Sequence, residues 1–179
     1  MRICIDEWSL DWVAQFQSRA AAIRTALGAG ALRIDHIGST SVPGLAAKPI
    51  IDIQVSVSGF EDMARFTIPM ATIGYVWRKD NPILTRRYFR ERPGDRRTHI
   101  HLRRSGSWNE QWTLLFRDYM RSHPEEHEPY AALKRQLAER FQTDTMGYTE
   151  AKGDHLWSVI RRADLWAGEL GWTPGPSDA

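Results

Sequence analysis

The first half of the chain combines one long amphipathic helix with short strands. From Trp8 to Leu27 the apolar residues recur at three- and four-residue steps, which predicts a helix with one buried face. The Gly-Ala-Gly sequence at 28–30 ends this helix, because glycine tolerates the left-handed backbone of a helix C-terminus. A short strand is predicted at residues 32–36. The run IIDIQVSV, residues 50–57, is the strongest predicted strand, with apolar side chains on one face and polar ones on the other.

The second half predicts a hairpin followed by helices. A short helix, broken near Pro69, is expected between residues 60 and 73. The β-compatible runs TRRYFR and THIHLRR are then separated by Pro-Gly-Asp at 93–95, which is a turn signal. Three apolar stripes at helical spacing predict helices in the last third of the chain. The Pro/Gly-rich residues 171–179 predict a disordered tail.

This order of elements predicts an α+β fold, with a small mixed β-sheet flanked by helices and a helical C-terminal third. The 179 residues suit a single domain, which we place at residues 1–170. The lone Cys4 excludes an internal disulfide. Acidic residues interrupt the N-terminal segment where a signal peptide would be apolar, and no run reaches the ~18 apolar residues of a membrane span. We therefore expect a soluble, cytoplasmic protein without a membrane partner.

The formal net charge of +2 is too even for a protein that coats nucleic acid non-specifically. The arginines are nevertheless concentrated in one segment, which carries Arg86, Arg87, Arg90, Arg92, Arg96, Arg97, Arg103 and Arg104. Because the guanidinium group binds phosphates and carboxylates in a planar fork, this segment favours an anionic ligand. Two alternatives stay open: the arginines pair with acidic C-terminal helices, or the hairpin binds RNA, although the net charge argues against RNA.

The passage around Gly38 and Ser39 carries the clearest chemistry. A Gly-Ser turn after a strand lets backbone amides approach a phosphate, because Gly38 has no side chain and Ser39 adds a hydroxyl donor. Asp52 follows on the polar face of the strongest strand, where a carboxylate can hold Mg²⁺ against substrate phosphates. This arrangement is typical of nucleotidyltransferases, in which the metal aligns an in-line attack on a nucleoside triphosphate.

The run HIGSTSVPGLAAKPIIDI, His36–Ile53, resembles the signature of the GrpB family, also catalogued as UPF0157. The resemblance extends to the HxH motif at residues 99–101, to Leu115–Phe141 and to the YTEAK run of Tyr148–Lys152. It covers nearly the whole chain. It implies a nucleotidyltransferase-like fold, and similar domains occur fused to dephospho-CoA kinases.

One position departs from the nucleotidyltransferase pattern. Active members of that superfamily carry a second acid two residues after the first, whereas here Asp52 is followed by Gln54. Glutamine is a poor Mg²⁺ ligand, and a two-metal site needs more negative charge than one aspartate supplies. Three alternatives follow: a fold that only binds, a different reaction, or one softer metal held by Asp52, His99 and His101. An ordinary polar sheet face is the plainer interpretation of the two histidines.

The candidate catalytic residues are Asp52, Gln54 and His36. Asp52 is expected to hold Mg²⁺, another divalent metal or a substrate hydroxyl, and Gln54 to hydrogen-bond in the same cleft. His36 is a candidate proton carrier, with a structural role in the core as its alternative. The candidate phosphate-binding residues are Gly38, Ser39, Thr40 and Lys48, the preferred clamp of Arg86 and Arg87, and Arg103. For Lys48 the alternative is a surface lysine.

The resemblance suggests that Tyr148 and Lys152, one helical turn apart, close the cleft; a surface pair is the alternative. The leading hypothesis is a domain that binds a nucleotide or another phosphorylated metabolite, and that in its enzymatic version transfers a nucleotidyl group to an acceptor. A catalytically silent binding module is the rival. Both require the turn at Gly38 and Ser39 to share one hollow with Asp52 and His101.

Overall fold

In the computed structural model, which describes residues 2–179, the elements follow the predicted order. The helices are α1 (Leu10–Leu27), α2 (Ala64–Thr72), α3 (Trp108–Ser122), α4 (His127–Phe141), α5 (Thr145–Glu150) and α6 (Gly153–Leu170). The strands are β1 (Arg33–Ile37), β2 (Ile51–Val57), β3 (Tyr75–Trp77), β4 (Arg86–Glu91) and β5 (Thr98–Arg104). The predicted α+β architecture, with a mixed sheet and a helical C-terminal third, is confirmed.

Helix α1 forms because its sequence supplies both a cap and a continuous apolar face. The Ser9 hydroxyl accepts a hydrogen bond from the Asp11 backbone N–H, which satisfies a donor that the helix itself leaves unpaired. The buried residues Trp12, Phe16, Ala20 and Ile23 are the ones that the spacing predicts. Within the described part of the chain, none of the helices has the length and apolar character needed to cross a membrane.

The five strands form one sheet in the order β1-β2-β5-β4-β3. Strands β2 and β5 are parallel, and the other neighbouring pairs are antiparallel. Aliphatic side chains such as Ile53, Val55 and Ile100 cover one face, which we call the apolar face, and they pack against α1 and α2. The apolar face therefore holds the main core.

The opposite side of the sheet, which we call the polar face, carries the chemistry-bearing residues. In the parallel register Asp52 lies beside His99, and Gln54 lies beside His101. Strand β4 adds further residues to the polar face on the other side of β5, with Arg86 opposite Arg103. A second apolar cluster unites α3, α4 and α6 with the loop before β2, so a helical layer is built above this face.

Two local features differ from the sequence prediction. Strand β3, which lengthens the hairpin sheet by a short antiparallel strand, was not predicted because three residues give too little alternation to recognise. Helix α2 continues through Pro69 instead of breaking there. Proline removes one N–H donor from the helix, yet the helix continues for three further residues, to Thr72.

Residues 175–179, predicted to be disordered, lie along β1 instead. The Ile34 backbone N–H donates to the Ser177 hydroxyl at 2.8 Å, and the Ala179 N–H donates to the Ile34 carbonyl at 3.1 Å. The Asp178 carboxylate accepts from the His36 N–H at 2.9 Å and from the Arg117 guanidinium at 2.8 Å. Composition alone favours disorder, but β1 is an edge strand whose unpaired backbone groups provide partners for the tail.

Candidate functional site

A cavity of about 400 Å³ opens between the polar face and the helical layer. The loop before β2 contributes Gly38, Ser39 and Lys48 to its wall. From the sheet come Asp52, His99, His101, Arg86, Tyr88 and Arg103, and from the helices come Tyr130, Lys134 and Tyr148. Lys152 also lines the cavity, but it lies in the turn between α5 and α6 and not on the same helix as Tyr148. The turn at residues 38–39 and the side chains of Asp52 and His101 therefore share one hollow.

Asp52 lines this cavity in contact with both histidines of the HxH motif. Its Oδ1 atom is 3.2 Å from His99 Nδ1 and 3.3 Å from His101 Nε2. Burial acts to raise the pKa of Asp52, but the hydrogen bonds from His101 and His99 outweigh it and hold that pKa well below its usual range. The carboxylate is therefore ionised at physiological pH, ready to accept a hydrogen bond or to hold a cation.

His101 is fixed in one tautomer by its two partners. Its Nδ1 atom lies 2.9 Å from Arg86 Nη1, and a guanidinium group can only donate. Nδ1 must therefore accept, which leaves the ring proton on Nε2 to be donated to Asp52. Burial lowers the pKa of His101 to about 4, so the imidazole is neutral at physiological pH, as this pair of bonds requires.

Gly38 brings the loop against Asp52 because it lacks a side chain. Its φ of +71° and ψ of −177° belong to a region that only glycine readily adopts. A Cβ atom at this position would lie 2.8 Å from Asp52 Oδ2. The Gly-Ser turn is thus required both for the backbone conformation and for the close approach of the loop to the carboxylate.

Three lysines and two tyrosines form the wall next to the start of β2. The ammonium groups of Lys48 and Lys152 lie 4.3 Å and 4.7 Å from the centre of the Tyr148 ring. Lys134 lies 4.3 Å from the Tyr130 ring and donates to the Ala46 carbonyl. These cation–π contacts stabilise the ammonium groups without neutralising them.

Burial dominates the acid–base properties of these lysines. It lowers the pKa of Lys134 to about 7, with repulsion from Lys152 adding to the effect. It also lowers the pKa of Lys152 to about 8, with repulsion from Lys48 opposed by attraction to Asp52. The pKa of Lys48 falls for the same main reason. An anion in the cavity would favour the charged form of each lysine.

At the other end of the polar face, two arginines add positive charge. Arg103 is buried and donates to the Asn109 carbonyl at 2.8 Å. Burial, followed by repulsion from Arg86, lowers the pKa of Arg103 to about 10. Arg86 stacks its guanidinium 4.9 Å from the centre of the Tyr88 ring. Among the lining residues of the described chain, Asp52 is the single carboxylate against five lysines and arginines.

Three predicted site residues lie outside the cavity wall. His36 is on the apolar face, stacked 4.7 Å from the Phe16 ring and 3.0 Å from the Thr40 hydroxyl, and burial lowers its pKa to about 3. Arg87 points to that same face and covers the Phe60 ring at 4.3 Å, because neighbouring strand residues alternate. Gln54 is fully buried and bonds the Glu110 carbonyl beneath α3.

The remaining predicted residues line the cavity together. They are Gly38, Ser39, Thr40, Lys48, Asp52, Arg86, His99, His101, Arg103, Tyr148 and Lys152. Sequence reasoning missed Lys134, Tyr130 and Tyr88. Lys134 and Tyr130 belong to a helix that reads as an ordinary amphipathic surface helix. Tyr88 had a usable signal, since it alternates with Arg86 on a strand and must share its face.

The match to the family GrpB, described as GrpB protein, spans residues 2–162. The chain belongs to the GrpB family. A crystal structure of the conserved protein GrpB from Enterococcus faecalis shares the fold, with a TM-score of 0.83, 33% identity, and coverage of 91% of this chain and 99% of that one. The resemblance stated from the signature motif is therefore confirmed.

Two curated relatives extend beyond the matched region. A UPF0157 protein of Pseudomonas aeruginosa is 40% identical over 156 residues, which cover 85% of this chain and 64% of that protein. A dephospho-CoA kinase of Mycolicibacterium paratuberculosis is 32% identical over 191 residues, covering 92% of this chain and 46% of the kinase. The match thus spans about half to two thirds of the length of these relatives.

Proposed function

We propose that this cavity binds a nucleotide or another phosphorylated metabolite. The observation that carries the proposal is the charge of the wall, where five lysines and arginines face one carboxylate. Charges removed from water without counterions destabilise a fold, so an arrangement of this kind favours a ligand that supplies the missing negative charge. Phosphate groups fit the donors present, which are guanidinium, ammonium and backbone N–H groups.

In this proposal the loop and the lysines hold the ligand's phosphates. The turn at Gly38 offers backbone N–H groups and the Ser39 hydroxyl, with Thr40 behind it, and Lys48 and Lys152 flank the same side. Arg86 and Arg103 can receive a second negative group at the other end of the polar face. Asp52 lies between the two ends, where it can accept a hydrogen bond from a ligand hydroxyl or hold a divalent cation such as Mg²⁺.

The enzymatic version is nucleotidyl transfer to an acceptor hydroxyl. The acceptor oxygen would attack the α-phosphorus of a bound triphosphate, pyrophosphate would leave, and the hydroxyl proton would pass to solvent. Asp52 would orient the acceptor and the metal in this step. An Asp52→Ala variant that turns over as fast as the unmodified protein would remove the enzymatic version and leave binding intact.

A catalytically silent binding module is the second candidate, and the position of Gln54 favours it. Two-metal transfer needs a second acid beside Asp52, but Gln54 is turned away beneath α3 and supplies neither charge nor contact to the cavity. The metal dependence of ligand binding distinguishes the transferase from the silent module. Ligand binding that is indifferent to Mg²⁺ and Mn²⁺ supports the silent module.

The decisive experiment is thermal stabilisation by ATP, GTP, CTP and coenzyme A, each measured with and without Mg²⁺ or Mn²⁺. We include coenzyme A because one relative is a dephospho-CoA kinase. Lys152→Met should weaken binding roughly ten- to a hundredfold, since a charged hydrogen bond contributes about 1.5–3 kcal/mol. Lys79→Met is the matched control, because Lys79 is an exposed lysine beside Trp77. Absence of stabilisation by all four ligands would contradict the proposal.

A further inference from the structure

Three side-chain atoms in the cavity have the spacing of a metal-ligand set. Asp52, His99 and His101 each offer one ligand atom, and these three atoms all lie within 4.8 Å of one another. Asp52 Oδ1 is 3.2 Å and 3.3 Å from the two ring nitrogens. A tetrahedral ion with bonds of about 2.1 Å holds its ligand atoms about 3.4 Å apart. The separations of Asp52 Oδ1 from the two ring nitrogens therefore fit such an ion with little movement.

The donor set selects the class of metal. Mg²⁺ prefers an octahedral shell of oxygens, whereas two imidazoles and one carboxylate suit Zn²⁺ and related transition metals. Three protein ligands leave a fourth position for water or substrate, and all three residues line the cavity. We propose that Asp52, His99 and His101 form a transition-metal site, and that the metal and Arg86 exclude each other at His101.

His99 can change its tautomer without losing a hydrogen bond at Nε2. A neutral imidazole that donates through Nδ1 must present a lone pair there to bind a metal, so its proton has to move to the other nitrogen. His99 Nε2 is buried and has no hydrogen-bond partner among the described residues. It can take the proton while the ring stays neutral, and no existing bond to Nε2 is lost.

His101 cannot change its tautomer in the same way while Arg86 stays in place. Metal binding through His101 Nε2 moves the ring proton to Nδ1, which now accepts from Arg86 Nη1 at 2.9 Å. Two N–H donors would then face each other, because arginine has no acceptor. Arg86 must therefore leave His101 before the metal is bound.

An anion in the cavity offers Arg86 an alternative partner. Arg86 Nε is buried without a hydrogen-bond partner among the described residues, so the guanidinium has donor capacity to spare. An anion that draws Arg86 away from His101 removes the obstacle to the metal, and by linkage the metal then favours the anion. This coupling rests on the proposed function, whereas the ligand set itself does not.

The test uses Co²⁺, whose visible absorption reports tetrahedral coordination, with sulfate as the anion. We expect Arg86→Met to bind Co²⁺ about tenfold more tightly than the unmodified protein. Sulfate should tighten Co²⁺ binding about fivefold or more in the unmodified protein and leave Arg86→Met unchanged. Arg103→Met removes the same charge from the same cavity but keeps the contact between Arg86 and His101. The gain in Co²⁺ affinity should therefore be smaller in Arg103→Met than in Arg86→Met.

Two further variants test the ligand set. Asp52→Asn and His99→Gln should each abolish the tetrahedral Co²⁺ spectrum, with circular dichroism showing that both variants are folded. A tetrahedral spectrum retained by both would overturn the site, and equal Co²⁺ affinity in Arg86→Met and Arg103→Met would overturn the exclusion. Nucleotide stabilisation without any Co²⁺ binding defeats this inference alone. Co²⁺ binding without any anion effect defeats the coupling and counts against the proposed function.

Discussion

At Gly38 both the backbone conformation and the neighbouring Asp52 carboxylate disfavour a Cβ atom. Alanine there would carry both a strained φ of +71° and a Cβ atom 2.8 Å from Asp52 Oδ2. Gly106 provides a matched comparison, since its φ is +73° and a Cβ atom would meet nothing within 4 Å. The two positions therefore allow backbone strain to be separated from contact with the site.

We expect Gly38→Ala to lower the free energy of unfolding by about 2–4 kcal/mol, and Gly106→Ala by about 1–2 kcal/mol. Only Gly38→Ala should also weaken nucleotide binding, because its Cβ displaces the loop from Asp52. Chemical denaturation and ligand titration of both variants measure these effects. Equal losses of stability, with unchanged binding in both, would show that the close approach to Asp52 is unimportant.

The buried lysines of the cavity, Lys134 and Lys152, predict a pH dependence of anion binding. Lys134 and Lys152 have pKa values of about 7 and about 8, so both are charged at pH 6 and largely neutral at pH 9. Sulfate does not titrate in this range, and its affinity should fall by roughly tenfold or more from pH 6 to pH 9. Calorimetry in buffers of different ionisation enthalpy should show proton uptake on binding.

A Lys134→Met and Lys152→Met double variant is the corresponding control. It should bind sulfate weakly at every pH and lose most of the pH dependence. A double variant that keeps the full slope would assign the dependence to other groups.

Lys134 also affects the stability of the unbound protein. Because its pKa is lowered in the folded state, the direction of the change in stability with pH can be derived. Between about pH 7 and pH 10.5 the unfolded chain binds a proton at Lys134 that the folded protein has released. The free energy of unfolding therefore rises with pH in this window, by up to about 1.4 kcal/mol per pH unit from this group. Denaturation midpoints should show a flatter rise in Lys134→Met, and parallel curves for the two proteins would refute the argument.

At the scale of elements, the parallel pairing of β2 with β5 assembles the site. Alternation along each strand predicted that Asp52 would face away from Ile53, and that His99 and His101 would share a face. It could not show that β5 lies next to β2, which is what places His99 beside Asp52. Nor could it show which side chains of α4 face the cavity, so Lys134 was missed. Strand partners and helix placement depend on contacts between distant segments, which local patterns do not record.

The C-terminal segment beside β1 is the element that sequence composition described least well. Its Asp178 carboxylate contacts the buried Arg117 at 2.8 Å. Asp178→Asn should lower the free energy of unfolding by about 1–2 kcal/mol, since a charged hydrogen bond to a buried guanidinium is weakened. Asp164→Asn, at an exposed position on α6, is the control and should change it by less than about 0.5 kcal/mol. Equal stability of the two variants, measured by urea denaturation, would mean that the contact between Asp178 and Arg117 contributes nothing to stability.

At the scale of the molecule, the cavity joins two separately packed regions. The sheet with α1 and α2 forms one apolar cluster, and α3, α4 and α6 contribute to another. The cavity wall takes Asp52 and His99 from the first region, and Lys134 and Tyr130 from the second. A ligand that contacts both ends must therefore restrain the two regions against each other.

Hydrogen exchange tests this restraint directly. Saturating nucleotide should slow amide exchange at residues 38–41 and 145–152, which line the cavity or adjoin its lining residues. Helix α2 lies on the apolar face, away from the cavity, and its exchange should be unchanged. Uniform protection along the whole chain would indicate a general gain in stability rather than a bridge between regions.

The strict contrast between the two sides of β5 has a consequence for assembly. If that strand slid by a single residue against β2, both imidazoles would be forced among aliphatic side chains, while Ile100 and Leu102 would be turned toward the cavity. Such a misaligned chain would lose its chemistry and its core in the same event. Molecules that fold correctly are, for this reason, also the ones whose ligand-binding groups are correctly aligned.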